Sequence, residues 1–177
     1  FLVYCTPILG GFLADRYLGQ KVCIIIGAIL MTIGHFLMAF EPVFILALLF
    51  IILGNGFFKP NISTQVGDLY PEGDPRRDGA FTIFYMGINL GAIFSGLVCG
   101  TLGELWGWHY GFTAAGVGMV FGLLVYLWGQ KHLTYSQQKH KDKVDNNAPL
   151  TKAQWKAIAG IVILSVSHII FWGVFEQ

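Results

Sequence analysis

Charge is what this sequence has least of, and its scarcity already narrows the function. Only 12% of the 177 residues are Asp, Glu, Lys or Arg, about half of what a soluble domain carries, while 55% are hydrophobic and 15% aromatic. Mean hydropathy is +0.62. The net charge of +1 is carried by dispersed basic residues rather than a stripe, so no nucleic-acid partner is indicated. Cysteine is equally sparse. Cys5, Cys23 and Cys99 all fall in apolar stretches without CxxC or metal spacing, and they read as small core residues with no disulfide. The histidines His35, His109, His132, His140 and His168 offer no ligand pair at metal spacing. There is no GxSxG elbow and no phosphate-cradling glycine loop after a strand. An enzyme is therefore not expected, nor a metal or other cofactor. Asn61-Ile62-Ser63 is formally a glycosylation sequon, but it lies inside an apolar run and has no meaning there.

What is present is a series of long apolar runs. Six are read as spans, measured against the roughly 20 residues that cross a bilayer. The first runs from the start to Ala14 and is too short. The others are Val22 to Phe40, Val43 to Val66, Ala80 to Leu102, Phe112 to Gly129 and Ala157 to Phe175. With no initiator Met, no signal peptide, and a last span ending on Glu176 and Gln177, the sequence reads as a fragment of a longer protein.

The loops set the orientation. Segments 15–21, 68–79 and 130–156 hold ten of the eleven basic residues, whereas Glu41-Pro42 and Gly103 to Tyr110 hold no Lys or Arg. The first group is assigned to the cytoplasm and the second to the outside. Ser136 to Asn147 reads as a flexible linker, and Lys152 to Trp155 as an amphipathic start to the last helix. Trp106 and Trp108 suit an outer aromatic belt. Glycines spaced by four, Gly87 with Gly91, Gly96 with Gly100 and Gly118 with Gly122, predict close helix packing.

The eleventh basic residue, Lys59, lies inside a span. A mid-membrane charge costs roughly 2.5 to 3.5 kcal/mol, and such residues mark function more often than structure. At 1.5 Å of rise per residue, Lys59 lies about 14 Å above Asp68, Asn89 about 14 Å above Ala80 and Tyr4 about 14 Å above Leu13. Three polar groups thus share one level near the midplane, where secondary transporters place substrate. Asn89 serves equally well as a hydrogen bond to a neighbouring helix, and Tyr4 alone reads as a packing aromatic. Pro60 predicts a local helix break, a bend or gate beside the lysine. In the last span His168, Trp172 and Glu176 are spaced by four and share a face. His168 reads as a packing residue. Glu176 reads either as an interfacial carboxylate or as a proton carrier loaded by burial and released by an adjacent cation.

Four segments carry a resemblance. The loop Gly10-Gly11-Phe12-Leu13-Ala14-Asp15-Arg16-Tyr17-Leu18-Gly19-Gln20-Lys21 resembles the cytoplasmic signature of the major facilitator superfamily, in the longer form of its proton-dependent oligopeptide transporter branch. Gly54 to Ser63, Phe81 to Ile93 and Phe171 to Gln177 resemble that branch's motifs in the correct order, the last two its fifth- and seventh-helix motifs. The resemblance implies an all-α integral membrane fold, helices two to seven of a plain twelve-helix plan. Residues 1–129 would be an N-terminal bundle lacking the family's first helix, 130–156 a cytoplasmic linker between halves, and 157–177 the first helix of the C-terminal bundle.

It further implies proton-coupled symport of di- and tripeptides by alternating access, in a bacterial cytoplasmic membrane, with protons as coupling ion and small peptides as partners besides the lipid bilayer. Lys59 would pair with the peptide carboxylate, Asn89 would bond its backbone or amino end, and Tyr4 and Trp172 would line the cavity. Glu176 would couple protonation to the outer gate, and Asp15 with Arg16 would form a cytoplasmic latch. An anion or sugar carrier of the same superfamily and a transporter-like receptor are the alternatives.

Overall fold

The computed structural model describes residues 2–71, 73–133, 151, 152, 155, 156, 158–160, 163, 164 and 167, with Tyr4 and His132 described by backbone only. No strand occurs among them. The elements are α1 (Leu2–Leu13), a π-helical turn (Ala14–Leu18), α2 (Gln20–Leu37), a 3₁₀ turn (Glu41–Val43), α3 (Phe44–Gly67), α4 (Arg76–Ser95), a π-helical segment (Gly96–Gly100), α5 (Thr101–Trp106), α6 (Trp108–Gly129) and a 3₁₀ turn (Gln130–His132). Among the described residues four stretches are long and apolar enough to cross a membrane, namely Gln20–Leu37, Glu41–Gly67, Arg76–Trp106 and Trp108–Gly129. They match four of the six expected spans. The 12-residue α1 is shorter than a crossing requires. The sixth expected span lies largely outside the described residues.

One expected loop disappears. Gly103 to Tyr110 is expected to be an outer loop, but helix continues through Trp106 and resumes at Trp108, leaving the single residue Gly107 as the turn. Its φ of 110° is accessible to glycine and strained for any side chain. Gly103 is buried under the Trp108 ring, which occupies the space a Cβ would need and closes the corner.

The core of the first compact unit, Phe1–Val144, is built on α3, which packs against both α1 and α2, while α2 also meets α6 and α5 meets α6. Small residues make this possible. Ala14, Cys23, Ile24, Ala28 and Ala47 are the buried apolar side chains. A Cβ on Gly27 would lie 2.7 Å from the Gly54 carbonyl, and one on Gly54 2.8 Å from the Gly27 carbonyl. The two backbones therefore approach directly, the usual source of helix association where lipid removes the hydrophobic driving force. The glycines expected to do this do not. Gly87, Gly91, Gly96, Gly100, Gly118 and Gly122 have nothing within 4 Å of a Cβ position among the described residues. Spacing by four puts glycines on one face but cannot say whether a partner helix lies there.

Pro60, where a local helix break is expected, lies within α3. The helix α3 runs from Phe44 to Gly67 through Pro60. The missing Pro60 N–H costs one helical hydrogen bond, at the Gly56 carbonyl four residues earlier. That carbonyl faces α1 at Gly10, whose Cβ position would overlap it. Around this contact Asn61 Nδ2 donates to the Gly10 carbonyl at 3.3 Å and to the Phe57 carbonyl at 2.7 Å. Thr6 Oγ1 donates to the Ile52 carbonyl at 3.1 Å. Interhelical bonds of this kind average about 0.6 kcal/mol in membranes. Gly10→Ala must push α1 off α3 and is expected to cost about 1–3 kcal/mol, the range for overpacking. Gly11→Ala, whose Cβ would stand an ordinary 4.0 Å from Pro60, should be near neutral. Thermal unfolding in detergent measures the difference, and equal midpoints for the two variants would refute the contact.

A second compact unit comprises Asp145–Gln177. Its described residues from Lys152 onward are helical. Trp155 N–H donates to the Thr151 carbonyl at 3.0 Å and Ser167 Oγ to the Ile163 carbonyl at 2.7 Å. Lys152 and Trp155, the two ends of the expected amphipathic start, are both helical.

Candidate functional site

Lys59 is on α3, and its side chain is exposed with no hydrogen bond or ion pair among the described residues. The neighbouring polar side chains turn back onto their own helix instead of meeting it. Ser63 Oγ donates to the Lys59 carbonyl at 3.2 Å and Thr64 Oγ1 to the Pro60 carbonyl at 2.9 Å. One turn before Lys59, on the same face, Asn55 holds its Oδ1 buried and without a partner among the described residues. Sequence reasoning passed over Asn55, although an amide within an apolar run must find a partner and was for that reason a visible signal.

Asn89 is exposed on α4, and its Nδ2 donates to the Tyr85 carbonyl of its own helix at 2.9 Å. The neighbouring-helix bond considered from sequence is not made among the described residues. Both α3 and the relevant part of α4 are uninterrupted helix, so the estimate of equal depth for Lys59 and Asn89 keeps its geometric basis. The two helices touch and are joined by the short segment 68–75. No residue of α4 is buried and Asn89 is exposed, although Arg77 and Phe81 near the start of the helix lie against Gly67 of α3. Tyr4 belongs to α1 by its backbone. Trp172, Glu176 and His168 lie outside the described residues.

The end of the bundle expected to face the cytoplasm holds the candidate latch residues. Asp15 and Arg16 are both exposed in the π-helical turn after α1, with no side-chain bond among the described residues. Asp15 does not cap α2, whose N-cap is Gly19 at φ 81° with no side-chain bond. The buried pair is instead Gln20, which donates from Nε2 to Asp68 Oδ2 at 3.1 Å and pins the start of α2 to the end of α3. Nearby, the Tyr126 hydroxyl donates to Gln65 Oε1 at 2.9 Å and ties α6 to α3. Sequence separations of 48 and 61 residues hide both pairs from any local pattern. In the turn that follows, Arg76 forms an ion pair with Asp74 at 2.7 Å and lies over the Tyr70 ring at 5.2 Å. Hydrogen bonds from the Arg76 side chain and backbone hold the Asp74 carboxyl below its ordinary pKa. Any stability from that pair is present above the ordinary aspartate pKa and lost as pH falls through the depressed one.

Asp68→Asn leaves Gln20 with a weaker, neutral partner. A hydrogen bond to a charged acceptor is worth about 1.5–3 kcal/mol and one to a neutral acceptor about 0.5–1.5 kcal/mol, so the expected loss is about 1 kcal/mol. The variant is expected to raise the reactivity of cysteines introduced on the cytoplasmic ends of α2 and α3. An unchanged labelling rate would leave the pair without a mechanical role.

Similarity to known proteins follows the same helices. Residues 21–151 match the sequence model of the POT family. The chain is 40% identical over 175 residues to the uncharacterized transporter YclF of Bacillus subtilis, covering 96% of this chain and 34% of that protein. It is 42% identical over 152 residues to a di-/tripeptide transporter of Lactococcus lactis subsp. lactis, covering 83% of this chain and 30% of the relative. Among solved structures, a mutant peptide transporter POT in complex with alafosfalin superposes with a TM-score of 0.74 at 39% identity, covering 97% of this chain and 35% of that one. A POT family transporter in complex with 5-aminolevulinic acid gives 0.70 at 33% identity, covering 99% and 36%. This chain thus spans about a third of the length of the relatives it matches.

Proposed function

Because this chain belongs to the POT family, a family of multi-pass membrane transporters and not of enzymes, we propose that it acts in proton-coupled symport of di- and tripeptides by alternating access in a bacterial cytoplasmic membrane. The observation that carries the reading is Lys59, a cation at mid-span on α3 with no anionic partner among the described residues. A charge in that position is costly unless something neutralises it, and the terminal carboxylate of a peptide does so. Asn89, on the helix that touches α3, bonds the peptide backbone or its amino end by exchanging its bond to Tyr85. Tyr4 and Trp172 line the cavity. Recognition of the termini serves all short peptides alike, since the charged ends are common while the side chains vary.

Protons couple through Glu176, which alternates between a protonated, buried state and a charged state beside a cation. Asp15 and Arg16 at the cytoplasmic turn act in closing the inner side, next to the Gln20–Asp68 pin. The name of the lactococcal di-/tripeptide transporter and the peptide transporter crystallised with alafosfalin support the substrate class.

The test is uptake of a labelled dipeptide by the full-length protein in proteoliposomes under an inward proton gradient. Accumulation that collapses with the gradient is expected. Accumulation of nitrate or a sugar with no dipeptide uptake would move the reading to another carrier of the superfamily, and ligand binding without movement would make it a receptor.

A further inference from the structure

On the face away from the Gln20–Asp68 pin, a cavity of about 550 Å³ opens between the end of α2, the 3₁₀ turn Glu41–Val43, the start of α3 and the start of α6. Its lining includes Glu41, Phe44, Trp108, His109 and Phe112. Trp108 and Phe112 stand 6.3 Å apart between ring centres, tilted by 31°, and Trp108 is seated on Gly103, which fixes its orientation. The Glu41 side chain forms no hydrogen bond or ion pair among the described residues. Neither outer turn contains a Lys or Arg, so no side chain of the opposite fixed charge is close in sequence, and Glu104 adds a second acid to the same side.

A carboxylate beside several aromatic faces is the recognition chemistry of an organic ammonium, the anion supplying charge and the rings a cation–π surface. Position identifies the source. The cavity lies where three candidate membrane-spanning stretches end, and Phe40 and Ile45, next in sequence to its lining residues, are 63% and 71% exposed, giving an apolar surface beside it. A soluble amine has no use for that surface, whereas an acyl chain does. We propose that this cavity holds the ammonium head group of an outer-leaflet phospholipid, with Glu41 as counter-ion and Phe44, Trp108 and Phe112 as the cage. The site is independent of the peptide-transport reading and rests only on the membrane topology.

Native mass spectrometry of the detergent-purified protein tests it. The probes are phosphatidylethanolamine and phosphatidylcholine against a galactolipid, neutral and without ammonium, all with the same acyl chains. Wild type should retain either phospholipid about two- to fivefold over the galactolipid, the range a cation–π contact at an exposed site gives. Glu41→Gln, at an exposed position, should bring that ratio close to one, whereas Glu104→Gln, outside the cavity, should keep it. Equal retention by wild type, or an unchanged ratio in Glu41→Gln, would overturn the proposal. So would displacement of the bound lipid by excess free ethanolamine, which would assign the cavity to a soluble amine.

Discussion

Lys59→Ala is expected to abolish gradient-driven dipeptide uptake while leaving the protein inserted and folded. The separation of the two effects follows from the surroundings of the side chain. Lys59 forms no bond that holds helices together among the described residues, and the interhelical contacts of α3 are made by Gly54, Gly56, Asn61 and Gln65 on other positions. Removing an unpaired mid-membrane charge relieves an insertion cost of roughly 2.5 to 3.5 kcal/mol, so folding should be unharmed or improved. Binding is another matter. Truncating one partner of a buried ion pair costs about 2–5 kcal/mol, which at sub-saturating peptide is a loss of about 30-fold or more. Lys59→Arg is the informative control, since it keeps the charge but replaces a compact ammonium with a wider planar fork. Intermediate uptake by Arg and none by Ala is the expected order. Normal uptake by the alanine variant would remove Lys59 from the site.

Glu176→Gln should separate coupling from binding. The substitution removes titration and keeps size and hydrogen-bonding capacity. A residue that only lines the site affects driven uptake and peptide exchange alike, but a proton carrier is needed only when the empty transporter must return with its proton exchanged. The variant is therefore expected to lose accumulation, to retain counterflow between pre-loaded vesicles and medium, and to bind peptide with reduced dependence on pH. The sign is fixed: where the protonated form favours binding, wild-type affinity falls as pH rises through the glutamate pKa, and the glutamine variant lacks that fall. Equal loss of both activities would reduce Glu176 to a binding or structural residue.

Much of the fold was legible because a bilayer forces it. Runs such as Val43 to Val66 and Phe112 to Gly129 must be helical if they are to satisfy their own backbone in lipid, and α3 and α6 lie there. Boundaries were less legible. Glu104, Trp106 and His109 look like loop residues by polarity, yet Gly107 alone makes the turn because only its backbone reaches φ 110° without strain. Packing was least legible. A glycine spacing describes one helix, whereas the contacts that matter, Gly10 on Gly56 and Gly27 on Gly54, are pairings between helices that no single run contains. The same holds at the cytoplasmic end. Asp15 and Arg16 stand out as adjacent opposite charges, but burial falls on Gln20 and Asp68, brought together by the antiparallel α2 and α3. Lys59 was legible for the opposite reason, since a charge inside an apolar span is conspicuous without any knowledge of its neighbours.

The central claim is that a peptide's terminal carboxylate is the anion that Lys59 awaits. Competition against labelled dipeptide uptake measures this directly, with the unlabelled dipeptide compared with the same dipeptide carrying a C-terminal amide, in the full-length wild-type protein. The account predicts that the free acid competes and that the amide, identical except for the lost charge, is weaker by about 30-fold or more. Equal competition by the two would contradict it, because Lys59 would then have no carboxylate to meet.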